Sequence, residues 1–138
     1  MYLLDTNVVS ELRKARPHGA VVAWIQTVPE DSIFLSASTF GELQAGVEKT
    51  RAHDPAKALE IERWIDGLAV ADRVIPIDAV VARERARLMA RRSLALYEDA
   101  VIAATARVHR LTVATRNVKD FAAFQVAVIN PFALPPGL

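Results

Sequence analysis

Apolar residues in this chain fall in short unbroken blocks, and the stretches between them carry helical periodicity. Five blocks read as strands: Tyr2-Leu3-Leu4, Ile33–Ser36, Val74–Ile77, Leu111–Thr115 and Val126–Ile129. Most are continuously apolar, as expected for strands covered on both faces. Pro55–Leu68 places Ile61, Ile65 and Leu68 at i, i+4 and i+7, with Trp64 beside them, which is the spacing of an amphipathic helix. Ala79–Ala95 and Glu98–His109 are helical by composition and length. Strands alternating with helices predict an α/β fold with a parallel sheet. His53-Asp54-Pro55 and Ala71-Asp72-Arg73 mark loops. From Asn130 to Gly137 the prolines prevent a helix or a central strand, so this segment is expected to lie along the surface. With no internal repeat, low-complexity run or linker, residues 1–138 read as a single domain.

Composition narrows the picture. A chain of 138 residues with 52% hydrophobic content can bury a proper core, and disorder is not expected. The formal net charge is only +1, so any contact with nucleic acid must rest on a local basic patch or a bridging metal. There is no Cys, which removes disulfides, thiol catalysis and thiolate metal sites. The start lacks a basic segment, and Asp5 interrupts the only early apolar run, so neither a signal peptide nor a membrane span is expected. The expectation is a soluble domain inside the cell.

Chemistry enters with the acids. Asp5 ends the first strand, where it can cap the following helix or sit at the sheet edge where parallel sheets bind ligands. Glu42 follows the second strand, and Thr39-Phe40-Gly41-Glu42 also fits a capping box with Thr39 as cap. Asp99 opens a helix that is apolar on nearly every side, Ala100–Ala106. Such a helix is central, so a carboxylate at its start needs a partner charge or a metal. Glu98 points about a third of a turn away and reads as an outsider. Asn117 and Asp120 follow the fourth strand; one of them faces the site, and the spacing does not say which. Each acid alone has a structural explanation. Together they share one edge of a parallel sheet, where their repulsion would raise their pKa values unless a divalent cation offset it. Oxygen-only ligands favour Mg²⁺ or Mn²⁺, which suits hydrolysis of a phosphodiester.

Leu4-Asp5-Thr6-Asn7, Ser38-Thr39-Phe40-Gly41-Glu42-Leu43, Asp99–Ala106, Thr115–Phe121 and the closing Val128-Ile129-Asn130-Pro131-Phe132 together resemble PIN-domain proteins, specifically VapC-type toxins of bacterial type II toxin–antitoxin pairs. The resemblance spans nearly the whole chain. It implies a three-layer α/β/α sandwich around a mostly parallel sheet of about five strands. It implies a Mg²⁺-dependent endoribonuclease whose products carry a 5′-phosphate and a 3′-hydroxyl. It also implies that Asp5 and Asp99 are metal ligands and that Glu42 completes the cluster. The fourth position falls to Asp120 or to Asn117, which stands where some relatives carry Asp. Thr6 and Thr115 are implied to orient carboxylates or water. The resemblance further implies a homodimer in the bacterial cytoplasm, inhibited by a cognate VapB-type antitoxin in a heterotetramer or larger assembly.

Arg83, Arg87 and Arg91 share one face of the predicted helix, with Arg85 and Arg92 nearby. They form either a solvated face or a phosphate-binding stripe, and Lys49 and Arg51 are a weaker second candidate. Trp24 and Trp64 lie in apolar helical patterns and read as core or interface residues. His18, His53 and His109 share no spacing and read as surface residues. The face bearing Ile61, Trp64, Ile65 and Leu68 either meets an antitoxin or packs on the domain's own core. Two rival functions stand. One is a phosphohydrolase with Asp5 as nucleophile, which Asn7 disfavours because such enzymes commonly need an acid there. The other is a catalytically silent RNA- or protein-binding module on the same fold.

Overall fold

Successive side chains of a strand point to opposite faces, and here both faces are buried. The computed structural model describes residues 1–69 and 73–133. Its strands are β1 (Tyr2–Leu4), β2 (Ile33–Ser36), β3 (Val74–Ile75), β4 (Thr112–Ala114) and β5 (Val128–Ile129). They form one sheet in the order β3-β2-β1-β4-β5, with every pairing parallel. The register sets Leu3 between Phe34 and Val113, and Leu4 beside Ala114. Leu3 and Val113 belong to one core cluster, Leu4 and Ala114 to another on the opposite face.

Helices α1 (Thr6–Arg13), α2 (Gly19–Thr27), α3 (Ala37–Arg51) and α4 (Pro55–Leu68) cover the Leu4 face through Val8, Val21, Leu43 and Leu68. Helices α5 (Ala79–Met89), α6 (Tyr97–His109) and α7 (Val118–Phe121) cover the Leu3 face through Leu88, Ile102 and Phe121. The expected α/β/α sandwich is therefore what forms. Every residue of α6 from Ala100 to Ala106 is buried, because four of the seven are alanines that let neighbours approach closely. No helix among the described residues is long and apolar enough to cross a membrane.

Several boundaries move. β3 stops at Ile75 because Pro76 offers no donor to the ladder, and Ile77 is exposed. The expected helix Ala79–Ala95 ends at Met89, and Arg91 turns the chain through a left-handed conformation at φ 64°. A 3₁₀ turn, Leu94–Leu96, then feeds α6, which starts at Tyr97. β5 is confined to Val128–Ile129, after a 3₁₀ turn that ends at the left-handed Gln125, φ 50°. Helix α3 begins earlier than the capping-box pattern suggests. Ser36 is the cap, accepting from Ser38 N–H at 3.1 Å, while Thr39 is buried inside the helix. Ala71 and Asp72 of the predicted loop, and the tail beyond Ala133, lie outside the described residues. What is described of the tail turns back on the body, with Pro131 buried and Phe132 edge-on to His18 at 5.5 Å.

The chain runs outward from β1 through β2 to β3, then returns on the other side as β4 and β5. The order thus reverses between β1 and β4. In open parallel sheets, the crevice outside the carboxyl ends at such a reversal is where ligands bind. Asp5 follows β1 and Thr115 follows β4 at that crevice.

Candidate active site

The reversal brings Asp5 and Thr115 together across 110 residues of sequence. Asp5 continues the ladder with its backbone N–H, which donates to Ala114 O at 2.9 Å. Its side chain then divides its work. Oδ1 caps α1 by accepting from Thr6 N–H at 2.8 Å. Oδ2 accepts from Thr115 Oγ1 at 2.8 Å and from Asn7 Nδ2 at 3.2 Å. Capping and site roles therefore coexist in one residue that is only 6% exposed. Burial raises its pKa above the ordinary carboxylate value; the bonds from Thr115, Thr6 and Asn7 oppose that rise, and the charge of Asp120 adds to it.

Thr115 is fully buried and acts as a hub. Its Oγ1 donates to Asp5 and accepts from Asn117 N–H at 2.9 Å, with Asn7 Nδ2 at 3.3 Å. Asn7 in turn accepts at Oδ1 from Arg116 N–H at 3.2 Å. The loop after β4 is thereby tied to the start of α1. Asn7 has no positive role in the sequence reading; its position two residues beyond a strand-ending Asp was the available signal. Thr6 Oγ1 donates to Glu42 Oε1 at 3.0 Å and lies 3.3 Å from Thr39 Oγ1. Buried Thr39 thus backs the hydroxyl that holds Glu42, a different role from the cap predicted for it.

Asp5, Thr6, Asn7, Ser10, Glu42, Glu98, Asp99 and Asn117 line one open cleft of about 300 Å³. Three consequences follow for the predicted residues. Asp5, Glu42 and Asp99 do converge. Of the two candidates after β4, Asn117 lines this cleft, whereas Asp120 lines the adjoining depression with Arg116 and Lys119. Glu98 is no outsider: the cleft is wide enough to take both it and Asp99.

Among the described residues, no Lys, Arg or His lines the cleft, and the acids register it. The Asp99 carboxyl is pushed up to about 6, first by burial and then by the charges of Asp5, Asp120 and Glu98. Glu42 is exposed at the rim, yet partial loss of solvent raises its pKa, with Glu98, Asp5 and Asp99 adding to the rise against the bond from Thr6. The donor set is carboxylate, amide and hydroxyl oxygen, which suits a hard divalent cation. The acids face a common space without closing into a cage: among the described residues, no three His, Cys, Asp or Glu side chains are gathered as a ready-made ion site.

The remaining sequence features take ordinary places. Trp24 is buried, edge-on to Tyr2 at 5.1 Å. Ile65 packs with Val47 and Ala58 in the domain's own core. Trp64 and Leu68 line an apolar groove of about 310 Å³ with Leu4, Val9 and Leu35. The three histidines are exposed, and His18 caps α2 by accepting from Ala20 N–H at 3.2 Å.

Comparison with known proteins places this geometry. Residues 2–126 match the PIN domain. The toxin FitB of Neisseria gonorrhoeae is 38% identical over 138 residues, covering 96% of this chain and 99% of that protein. The VapC ribonuclease Y4jK of Sinorhizobium fredii is 39% identical over 137 residues, covering 96% and 98%. The crystal structure of FitAcB from Neisseria gonorrhoeae superposes with a TM-score of 0.81 at 35% identity, covering 97% of this chain and 100% of that one. The acids at the sheet reversal, the all-parallel sheet and these likenesses agree: the chain belongs to the PIN-domain family, among proteins of the VapC and FitB type.

Proposed function

We propose that this protein is a divalent-cation-dependent endoribonuclease, acting with Mg²⁺ or Mn²⁺, and the toxin of a type II toxin–antitoxin pair in the bacterial cytoplasm. The observation that carries the reading is the convergence of Asp5, Glu42, Asp99 and Asn117 on one cleft without a cation of its own. The relatives named toxin FitB and VapC ribonuclease support the activity and the biological role. A cognate antitoxin, a homodimer and a heterotetramer or larger complex belong to the same reading.

Asp5 and Asp99 would hold the cation, which when bound supplies Lewis acidity toward a phosphoryl oxygen and a more acidic attacking water. The chain's own residues set the rest. Thr115, Thr6 and Asn7 fix the Asp5 carboxylate before any ligand arrives. Glu42 is anchored through Oε1 by Thr6, which leaves Oε2 to accept a proton from the attacking water. Asn117 presents its amide to the cleft wall, where it orients the phosphate or the water. The rival phosphohydrolase commonly needs a second acid two residues after the nucleophile, where this chain has Asn7, whose amide is engaged by Asp5 and Thr115.

The test is cleavage of a structured RNA with Mg²⁺, with EDTA, and by the Asp5→Asn and Asp99→Asn proteins. EDTA should stop cleavage, and each substitution should cost roughly 100-fold or more, the upper end of what even outer partners of a metal site are worth. Undiminished cleavage by the substituted proteins removes the assignment. RNA binding without turnover by the unsubstituted protein supports the silent module instead.

A further inference from the structure

The acidic cleft lies between two depressions that carry aromatic-seated arginines, and a third, with Arg13, adjoins it at Thr6, Ser10 and Glu42. On one side it shares Glu42 and Glu98 with a depression of about 340 Å³ that also contains Ile77, Arg85 and Tyr97. On the other it shares Asn117 with one of about 440 Å³ that contains Arg116, Lys119 and Asn130. Each flank carries a guanidinium laid on an aromatic ring. Arg85 sits 4.7 Å above Tyr97, and Arg116 sits 3.8 Å above Phe132. A ring under the guanidinium face fixes its plane and leaves its N–H edge free for a bidentate acceptor.

Several other arginines are already committed. Arg51 pairs with Glu48 and Glu62, while Arg87 and Arg107 both pair with Glu84. The stripe expected on α5 therefore does not survive as a unit: Arg87 is neutralised, Arg91 serves a backbone corner, and Arg92 donates to Leu88 O. Among the described residues, neither Arg85 nor Arg116 has an ion pair or a side-chain hydrogen bond from its guanidinium. They are the aromatic-seated cations that border the acids. A polyanion approaching this site meets clustered carboxylates on a protein of net charge +1, so cations beside the cleft must offset that repulsion.

Resting on the endoribonuclease reading above, we infer that one unpaired RNA strand crosses the cleft with a backbone phosphate on Arg85 to one side of the cut bond and another on Arg116 to the other. Lys119 adds charge at the Arg116 end. A single strand fits because Asp5, only 6% exposed, is recessed behind the exposed Glu42 and Glu98 at the rim. An unpaired backbone can bend its phosphate into that recess, whereas a duplex would first have to open.

The experiment measures binding of an unpaired, fluorescently labelled RNA of about 12 nucleotides by anisotropy in EDTA, and its cleavage in Mg²⁺. The proteins are the unsubstituted chain, Arg85→Gln, Arg116→Gln, Arg116→Lys and, as a control far from the groove, Arg63→Gln. Arg85→Gln and Arg116→Gln should each weaken binding roughly tenfold and lower the slope of log affinity against log salt by about 0.7, the value for one phosphate contact on a single strand. KM should rise with kcat nearly unchanged, Arg116→Lys should fall between, and Arg63→Gln should match the unsubstituted protein. An RNA hairpin stem of equal length should bind more weakly. If both arginine variants behave like Arg63→Gln while the unsubstituted protein still cuts RNA, the two-arginine track is wrong and the ribonuclease reading stands. If the unsubstituted protein neither binds nor cuts RNA, both fall. Preference for the stem overturns the single-strand assignment.

Discussion

Helix α1 carries a carboxylate near each end, Asp5 as its cap and Glu11 in its last turn, and each is 6% exposed. Their surroundings differ. Glu11 lies under a shallow cover and is neutralised: Oε1 accepts from Lys14 Nζ at 2.9 Å, and Oε2 from His18 N–H at 3.0 Å. The Lys14 bond, followed by the His18 N–H and the charges of Lys14 and Arg116, holds its carboxyl below the usual range despite some loss of solvent. Asp5 accepts one hydrogen bond more than Glu11 but, among the described residues, pairs with no cation, and its carboxyl rises through burial. Burial of an acid therefore does not mark a site. Burial without a counter-charge does, because the fold keeps an electrostatic cost that only a ligand can remove. Glu11 joins α1 to the start of α2; Asp5 joins α1 to the end of β4 and lines the acidic cleft.

The sharpest way to break this contrast is to neutralise each acid separately. Asp5→Asn should reduce cleavage roughly 100-fold or more. Glu11→Gln should leave cleavage within about twofold but lower the thermal unfolding midpoint at pH 7, where the Lys14 pair is lost. Equal loss of cleavage in both would end the distinction. Next in size is Thr115→Val. It removes the hydroxyl that donates to Asp5 and accepts from Asn117 N–H, and should cost about 1–3 kcal/mol in urea unfolding and about 10- to 100-fold in cleavage. Thr115→Ser should recover most of both.

The smallest effect concerns the cost itself. Asp99 titrates near 6 in the fold against an ordinary 3.8, so its ionised form disfavours folding. That penalty is absent below about pH 4, grows as pH rises through about 6, and is full above it. Asp99→Asn should therefore raise the unfolding midpoint at pH 7.5 in EDTA by about 4 °C, taking about 1 kcal/mol after allowing for partial exposure. The gain should vanish near pH 3.5. Mg²⁺ should raise the midpoint of the unsubstituted protein at pH 7.5 and close the gap. A gain that is the same at both pH values would mean that packing, not charge, sets it.

Much of this was legible in the residues. The apolar blocks at Tyr2–Leu4 and Leu111–Thr115 read as strands buried on both faces, and that places Asp5 and Thr115 at one edge. The apolar surface of α6 likewise put Asp99 inside the protein. Other features depended on distance and were not legible. Asn117 and Asp120 are three residues apart in one turn, and only the folded loop, held by Asn7 and Thr115, turns the amide into the cleft. Thr39 and Glu42 match a capping box, but the same spacing occurs inside a helix when the cap lies three residues earlier, as Ser36 does. The end of α5 carries no Gly or Pro at its turn; Arg91 takes the left-handed corner, so no local signal announced it. Nor could spacing foresee that Glu84 would take Arg87 and leave Arg85 open.

The bond from Thr115 to Asp5 has a consequence in time. A chain emerging from the ribosome presents Asp5 first, and Asp99, Thr115 and Asn117 follow only after some hundred further residues. At roughly 5–20 residues per second, several seconds separate the first acid from the hydroxyl that orients it. Until β4 slides in beside β1, the Asp5 carboxylate has only its local partners Thr6 and Asn7, and the cleft has no far wall. The cleft is therefore incomplete until β4 has been made, and one late docking step closes it.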